Sequence, residues 1–355
     1  MITRADNGAS TGTGQLSSPT AAAGEAAIRA ELRALAAGRL STKPSAESVT
    51  LSKLASPVLL RGDDTHAYRD PAVIYHNGLF HLFYSYVPPP DPDGSIYWFT
   101  AVSTSPDLAH WTEPRLLTPK DQKLNYCSTG NVIRFGDEWV MCVTTYPIPG
   151  ARKDGPFRIG DESARIFIVR SKNLVDWSAP ELMRLKGPDV PVTAMGRMID
   201  GFLFEDRDEP GKWWCFFKQN GASRAWSRDL KTWTFAGHFP CGENTCVIRD
   251  DKEYVLFHSP NIISGMGIKR STDLVNWRDE EGVLTLGQQD WPWARGGRLS
   301  AGFVLDLRGD PAVGKALMFF HASPFPEESR GFWANCSLGL AWSDDLKHWS
   351  WPGKR

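Results

Sequence analysis

The chain of 355 residues has almost no net charge, since 40 Lys and Arg face 41 Asp and Glu. Without a polycationic face, nucleic-acid binding has no electrostatic footprint. The sequence also lacks an apolar stretch of roughly 7 to 15 residues behind a basic start, and any apolar run long enough to span a bilayer. As it stands it shows no secretory signal and no membrane span; a cytoplasmic protein, or an exported one whose signal has been removed, would both read this way. Its six cysteines include no Cys-x-x-Cys pair and no His partner at zinc spacing, which argues against a metal site of that kind. Cys142 and Cys215 sit in apolar strands and read as buried thiols, while Cys241 and Cys246 are close enough that a disulfide stays open. No compact Asp/Asn loop of the calcium-binding type is present.

What the sequence does have is repetition. A seven-residue phrase occurs five times: SPDLAHW ending at Trp111, SKNLVDW at Trp177, SRDLKTW at Trp233, STDLVNW at Trp277 and SDDLKHW at Trp349. Intervals of 66, 56, 44 and 72 residues between the tryptophans suit one small antiparallel sheet per repeat, with loops of variable length. They are too irregular for a helical solenoid. Within the phrase, Ser and Asp/Asn predict a tight turn, because their side chains bond nearby backbone groups, and Leu and Trp return to the core.

Ahead of each phrase lies a β-rich pair with a polar turn, such as AVIYHNGLFHLFYSYV at 72–87 with its Asn77-Gly78, or CVIRDDKEYVLFHS at 246–259. The pattern predicts an all-β fold, a five-bladed β-propeller over residues 51–355, in which no blade could bury its faces without its neighbours. Residues 1–50 differ: a Gly, Ser, Thr and Ala-rich start predicts a flexible segment, and EAAIRAELRALAAG a short helix with Ile28, Leu32 and Leu35 on one side. After Trp349 only SWPGKR remains, so the fifth blade lacks a full outer strand. Residues 57–61, PVLLR, resemble the outer strands of other blades and are expected to supply it, closing the ring; the alternative is an open ring with residues 40–60 along its side.

Chemistry in a propeller is expected where the inner strands begin, because loops converge there on one cavity. Three inner strands open on acids: Asp70 in AYRDPAV, Asp200 in RMIDGFLF and Glu243 in CGENTCVI. The matching stretches of blades two and five, STGN at 128–131 and RLSAG at 298–302, carry none. Asp-Pro is also a common turn, and an acid at a strand end often only caps backbone amides. Asp63 and Asp64 are rivals in the preceding loop, whereas Glu205, Asp206 and Asp208 fall toward a hairpin at the opposite end and read as solvated.

Together the five Asp-Leu-x-x-Trp blades, the Asp-Pro start, the second Asp in blade three and the Glu opening blade four resemble the five-bladed glycosidases of glycoside hydrolase family 43 and their relatives, families 32, 62, 68 and 117. The resemblance covers roughly residues 55 to 355. It implies that Asp70 is the general base, Glu243 the general acid and Asp200 the carboxylate that orients the acid and raises its pKa. The setting of the Glu departs from the pattern, being Gly-Glu-Asn-Thr and not Glu-Gly-Pro. The resemblance requires no cofactor and allows for a structural calcium or water in the central channel.

The chemistry itself needs one carboxyl ionised and one protonated at the same pH, and a neighbouring negative charge is a direct way to hold that proton. Sugar subsites call for ring faces and paired donors. Trp291, Trp293, Arg295 and Arg298 in the loop QQDWPWARGGRLS, Arg69 beside Asp70, and His258 and His321 at the ends of second strands are the candidates. The reading that results is an inverting glycoside hydrolase acting on a furanoside or pentose-containing oligosaccharide or polysaccharide. A retaining fructan hydrolase would want both Asn-Asp-Pro and Arg-Asp-Pro motifs, and a phosphorylase a basic phosphate pocket. A carbohydrate-binding propeller without catalysis would repeat its site in every blade, which the three acids do not.

Overall fold

A computed structural model describes residues 49–156, 160–261, 263–326 and 333–354. The helix expected within the first 50 residues, and the flexible segment around it, lie outside the described residues apart from Val49 and Thr50. A short strand, β1 (Val58–Leu60), precedes five antiparallel sheets. Blade I is β2 (Ala67–His76), β3 (Leu79–Val87), β4 (Phe99–Ser105) and β5 (Arg115–Leu116). In blade II, β6 (Tyr126–Cys127) and β7 (Val132–Phe135) share the inner position against β8 (Glu138–Thr145), followed by β9 (Ile166–Ser171) and β10 (Glu181–Leu182). Blade III is β11 (Ile199–Glu205), β12 (Trp213–Lys218), β13 (Ala222–Ser227) and β14 (Thr234–Phe239). Blade IV is β15 (Glu243–Asp250), β16 (Glu253–Ser259), β17 (Gly267–Ser271) and β18 (Arg278–Asp279). Blade V is β19 (Ser300–Leu307), β20 (Lys315–Ala322), β21 (Ser337–Ser343) and β22 (Trp349–Ser350). This is the five-bladed β-propeller that the repeat predicts.

The repeated phrase makes the same turn in each blade. In blade I the Ser105 hydroxyl oxygen accepts the Leu108 amide at 2.8 Å, and Asp107 accepts the amides of Ala109 and His110 at 2.9 Å. The five leucines, Leu108, Leu174, Leu230, Leu274 and Leu346, all take positive φ, between 56° and 66°. That backbone is costly for a branched side chain. Burial offsets the cost, because every one of these leucines is buried. The tryptophans then reach across the seams: Trp177 meets Phe83 of blade I edge-on at 5.8 Å, Trp277 meets Phe216 of blade III at 6.0 Å and Trp349 meets Phe257 of blade IV at 6.0 Å. Second strands, sandwiched between neighbouring blades, are buried on both faces, which explains unbroken apolar runs such as Leu82-Phe83-Tyr84 and Met318-Phe319-Phe320.

Ring closure follows the expectation. Strand β1 pairs antiparallel with β21, Val58 opposite Gly339 and Leu60 opposite Leu338, while β22 pairs with the other half of the same edge, Ser350 opposite Trp342. Segments from the two ends of the propeller thus divide one outer edge. Cys241 and Cys246 are both free thiols, and Cys142 and Cys215 are buried. Removing residues 1–61 should expose half of the β21 edge and lower Tm by several degrees in a thermal melt. An unchanged Tm would show that β22 alone closes the ring.

Candidate active site

Each inner strand breaks its register once, at a non-glycine residue with left-handed backbone: Asp70 (φ 47°), Ser128 (46°), Asp200 (57°), Asn244 (52°) and Ala301 (52°). Such a bulge places an extra residue on one strand and re-aims its side chain. The five bulges surround the axis, where a cavity of about 20 Å³ is lined by Asp70, Asp200, Asn244, Thr129, Thr245 and neighbours from every blade. The backbones approach so closely that a Cβ on Gly130 would lie 1.5 Å from the Gly201 carbonyl oxygen.

Two of the three candidate acids therefore share one structural position, and the third does not. Glu243 precedes the bulge of blade IV by one residue, at the level of Arg69, Cys127, Ile199 and Ser300, and does not line the cavity. Its carboxylate is ion-paired with Arg298 and is a quarter exposed, whereas Asp70 and Asp200 are buried. The three groups still feel one another: burial first, then the charges of Glu243 and Asp70, push the Asp200 carboxyl up to about 7. Proton retention near neutral pH thus falls on Asp200, the residue expected to raise the pKa of its neighbour, while Glu243 is ion-paired with Arg298.

Hydrogen bonds hold this arrangement. The Ser85 hydroxyl donates to Asp70 Oδ2 at 2.7 Å, and the Ser128 hydroxyl donates to Asp200 Oδ1 at 2.6 Å. The amide of a bulge residue is also received by the preceding blade. Asp70 N–H donates to His321 Nδ1 (3.1 Å), Ser128 N–H to Ser85 Oγ (2.7 Å), Asp200 N–H to Thr144 Oγ1 (3.3 Å) and Ala301 N–H to Ser259 Oγ (2.8 Å). The fifth equivalent position holds Lys218, which has no lone pair to offer as an ammonium.

The remaining expected residues divide. Arg69 is buried close enough to Cys127 and Tyr146 for its charge to act on both. Arg298 reaches the site through Glu243. Arg295 is exposed. His321 and His258 are not sugar ligands in this arrangement: both are buried, and their Nδ1 atoms accept the amides of Asp70 and of Gly242, one residue before Glu243. Burial, then Lys269, pushes His258 down to about 4, keeping it neutral. Trp291 and Trp293, expected as sugar platforms, instead stack on each other at 5.3 Å and on Phe320 at 5.9 and 6.2 Å, so their ring faces are already covered. Asp63 caps its own turn by accepting the amides of Thr65 and His66. Asp206 is buried, not solvated, and receives the Trp214 indole N–H at 2.9 Å.

Sequence reasoning missed Ser85, Ser128, Arg197 and an aromatic group. The Arg197 guanidinium lies 5.7 Å from the Tyr146 ring and lowers the Asp200 pKa, opposing its acidic neighbours. Tyr146 stacks on Trp98 at 5.0 Å, and Trp333 meets Trp98 edge-on at 5.4 Å. A five-fold alignment of the inner strands would have shown Ser128 opposite Asp70 and Asp200. For calcium the axial cavity is a poor fit, because that ion takes six to eight oxygens. Here two carboxylates share the walls with Pro71, Cys246, Ala301 and Phe303, and among the described residues no group of three His, Cys, Asp or Glu could hold a metal. The space suits a single water beside the buried, otherwise unpartnered hydroxyls of Thr129 and Thr245.

A sequence model of the glycosyl hydrolases family 32 N-terminal domain matches residues 64–245, just over half of the chain and a span that includes all three acids. The chain belongs to this family. No curated protein sequence matches it. Among solved structures this propeller is similar to a thermostable family-43 glycoside hydrolase (15% identity, 82% of this chain and 92% of the other, TM-score 0.55). It is also similar to a family 117 glycoside hydrolase of the marine bacterium Zobellia galactanivorans (15% identity, 82% and 90%, TM-score 0.58) and to a family 32 beta-fructofuranosidase of Bombyx mori (16% identity, 89% and 67%, TM-score 0.54). This family 32 chain is thus a glycoside hydrolase on the propeller scaffold expected from the blade phrase, and it acts on glycans. No helix among its described residues is long and apolar enough to cross a membrane.

The raised pKa of Asp200 carries a stability signature. Between its ordinary 3.8 and about 7 the folded protein retains a proton that the unfolded chain has released, so stability declines as pH rises through that window. Asp200→Asn should flatten the decline and raise Tm at pH 8 by several degrees, read from melts across the pH range. An equal pH slope in both proteins would remove Asp200 from the linkage.

Proposed function

We propose that this glycoside hydrolase cleaves a furanoside or pentose-containing glycan, with Asp70 as the base that activates water and Glu243 as the acid that protonates the leaving oxygen. The observation that carries the reading is the convergence of Asp70 and Asp200 on one axial cavity, with Glu243 adjacent to its lining residue Asn244 and electrostatically linked to Asp200. The chemistry follows from where the proton rests. In the free protein Asp200 retains it, and Glu243 is ion-paired with Arg298. A sugar entering the mouth displaces water and competes for the Arg298 guanidinium. Once that ion pair loosens, the proton passes from Asp200 to Glu243, beside the glycosidic oxygen, and the negative charge moves to Asp200, where the Ser128 hydroxyl and Arg197 stabilise it. Asp70, held by Ser85, then takes a proton from the attacking water as the C–O bond breaks. Departure of the alcohol leaves Glu243 charged and ready to pair again. Inversion requires a separation of about 6.5 to 9.5 Å between the acid and base carboxyls, leaving room for the water.

A second reading is favoured by the family 32 match. In it Asp70 attacks the anomeric carbon directly, Glu243 serves as acid and then base, and the substrate is a fructoside, as the name of the Bombyx mori relative suggests. Both readings make the same two carboxyls essential and differ in the product anomer.

Hydrolysis of arabinan, xylan and fructan oligosaccharides and of nitrophenyl glycosides should identify the sugar, with NMR of the first-formed anomer separating inversion from retention. Asp70→Asn should lose on the order of a thousand-fold or more in kcat. Glu243→Gln should lose as much on oligosaccharides but much less on nitrophenyl glycosides, whose leaving group needs little protonation. Full activity of Asp70→Asn on the identified substrate would sink both readings.

A further inference from the structure

The seam between blades I and II contains a connection that the ring of amide acceptors alone does not require. Thr144 and Ser259 use their hydroxyl oxygens to receive a bulge amide of the next blade. Ser85 does the same for Ser128 and also donates to a carboxylate, Asp70 Oδ2. Its partner Ser128 stands where the other inner strands carry Asp, Asn or Ala, and donates its own hydroxyl to Asp200 Oδ1. The path runs from Asp70 through Ser85 and the single residue Ser128 to Asp200, with polar distances of 2.7, 2.7 and 2.6 Å. Both serines are buried, Ser85 completely.

We propose that Ser85 and Ser128 are positioning residues that join the two axial carboxylates of this enzyme into one unit. The inference rests on the hydrolase reading of Asp70. Proton directions along the path are fixed by chemistry. An amide only donates, so the Ser85 oxygen must accept from Ser128 N–H, and its single hydrogen is left for Asp70. Asp70 Oδ2 is thereby engaged, and Oδ1 is the oxygen left to take the proton of water or to meet the sugar. His321 Nδ1 lies 3.6 Å from Oδ1 but cannot donate to it, because its lone pair receives the Asp70 amide; its other nitrogen, Nε2, lies 2.8 Å from Ser300 Oγ. Hydrogen bonds of this kind fix the rotation of both carboxylates. Ser128 opposes the burial and neighbouring charges that push Asp200 up.

The two serines can be tested separately. Ser128→Ala keeps the backbone amide and loses only the hydroxyl, and the left-handed conformation tolerates alanine, since Ala301 adopts it in blade V. Ser85→Ala loses both functions, and Ser85→Thr restores a hydroxyl. Titrations of ¹³C-carboxyl-labelled Asp, assigned with Asp70→Asn and Asp200→Asn, should show Asp200 moving up by roughly one pH unit in Ser128→Ala and Asp70 moving up similarly in Ser85→Ala. On the substrate identified above, Ser85→Ala should lose on the order of ten- to a hundred-fold in kcat with little change in KM. The acidic limb of its pH profile should shift to higher pH, and Ser85→Thr should recover most of the loss. Wild-type titration midpoints and pH limbs in both alanine variants, with only Tm reduced, would overturn the proposal and leave the serines as structural acceptors. Full activity in Asp70→Asn would instead overturn the hydrolase reading, while the NMR titrations would still report on the connection.

Discussion

Five left-handed bulges around one axis are the constraint on which the rest of this molecule depends. Each forces a residue out of regular β conformation at a cost of roughly 1–3 kcal/mol, and each recovers part of that cost by giving its strand a different side-chain direction. Four of the five amides freed in this way are taken up by a hydroxyl or imidazole of the preceding blade. The blades are therefore joined by directed polar bonds as well as by apolar seams. Without the bulges the inner strands would continue their alternation, and Asp70 and Asp200 would not both face the axial cavity.

The electrostatic consequence is a crowded site. Two buried carboxylates and a third, partly exposed, cannot all be ionised at low cost. The structure distributes the burden, with serine hydroxyls on the axial pair, Arg298 on Glu243 and Arg197 acting on Asp200. Burial and its acidic neighbours still leave Asp200 with a raised affinity for a proton. Glu243 and Arg298 are partly exposed, whereas Asp70 and Asp200 are buried.

The propeller was legible in the sequence because its unit is local. Ser, Asp, Leu and Trp in one phrase specify a turn and its return to the core within seven residues, and that turn appears in each blade. The closing strand at 57–61 was legible for a related reason, since an outer strand missing from the last repeat must be supplied from elsewhere. The acids were legible as strand-opening residues, but their relation was not. Glu243 sits one residue away from the level of Asp70 and Asp200, and a slip of one residue decides which way a strand side chain points. Trp291 and Trp293 misled because a pair of indoles in a loop resembles a sugar platform until Phe320 covers their faces.

By itself, then, the sequence determined the number of blades, their turns, the segment that closes the ring and the carboxylates worth considering, since each depends on neighbours within a few residues or on counting repeats. Tertiary structure alone decided which oxygens are engaged, which carboxyl keeps a proton and which ring faces remain free. Those properties belong to groups brought together across seams from distant parts of the chain, as with Ser128 and Asp200 or Asp70 and His321. Their energies depend on burial and on distances of a few ångströms, which no local pattern of residues encodes.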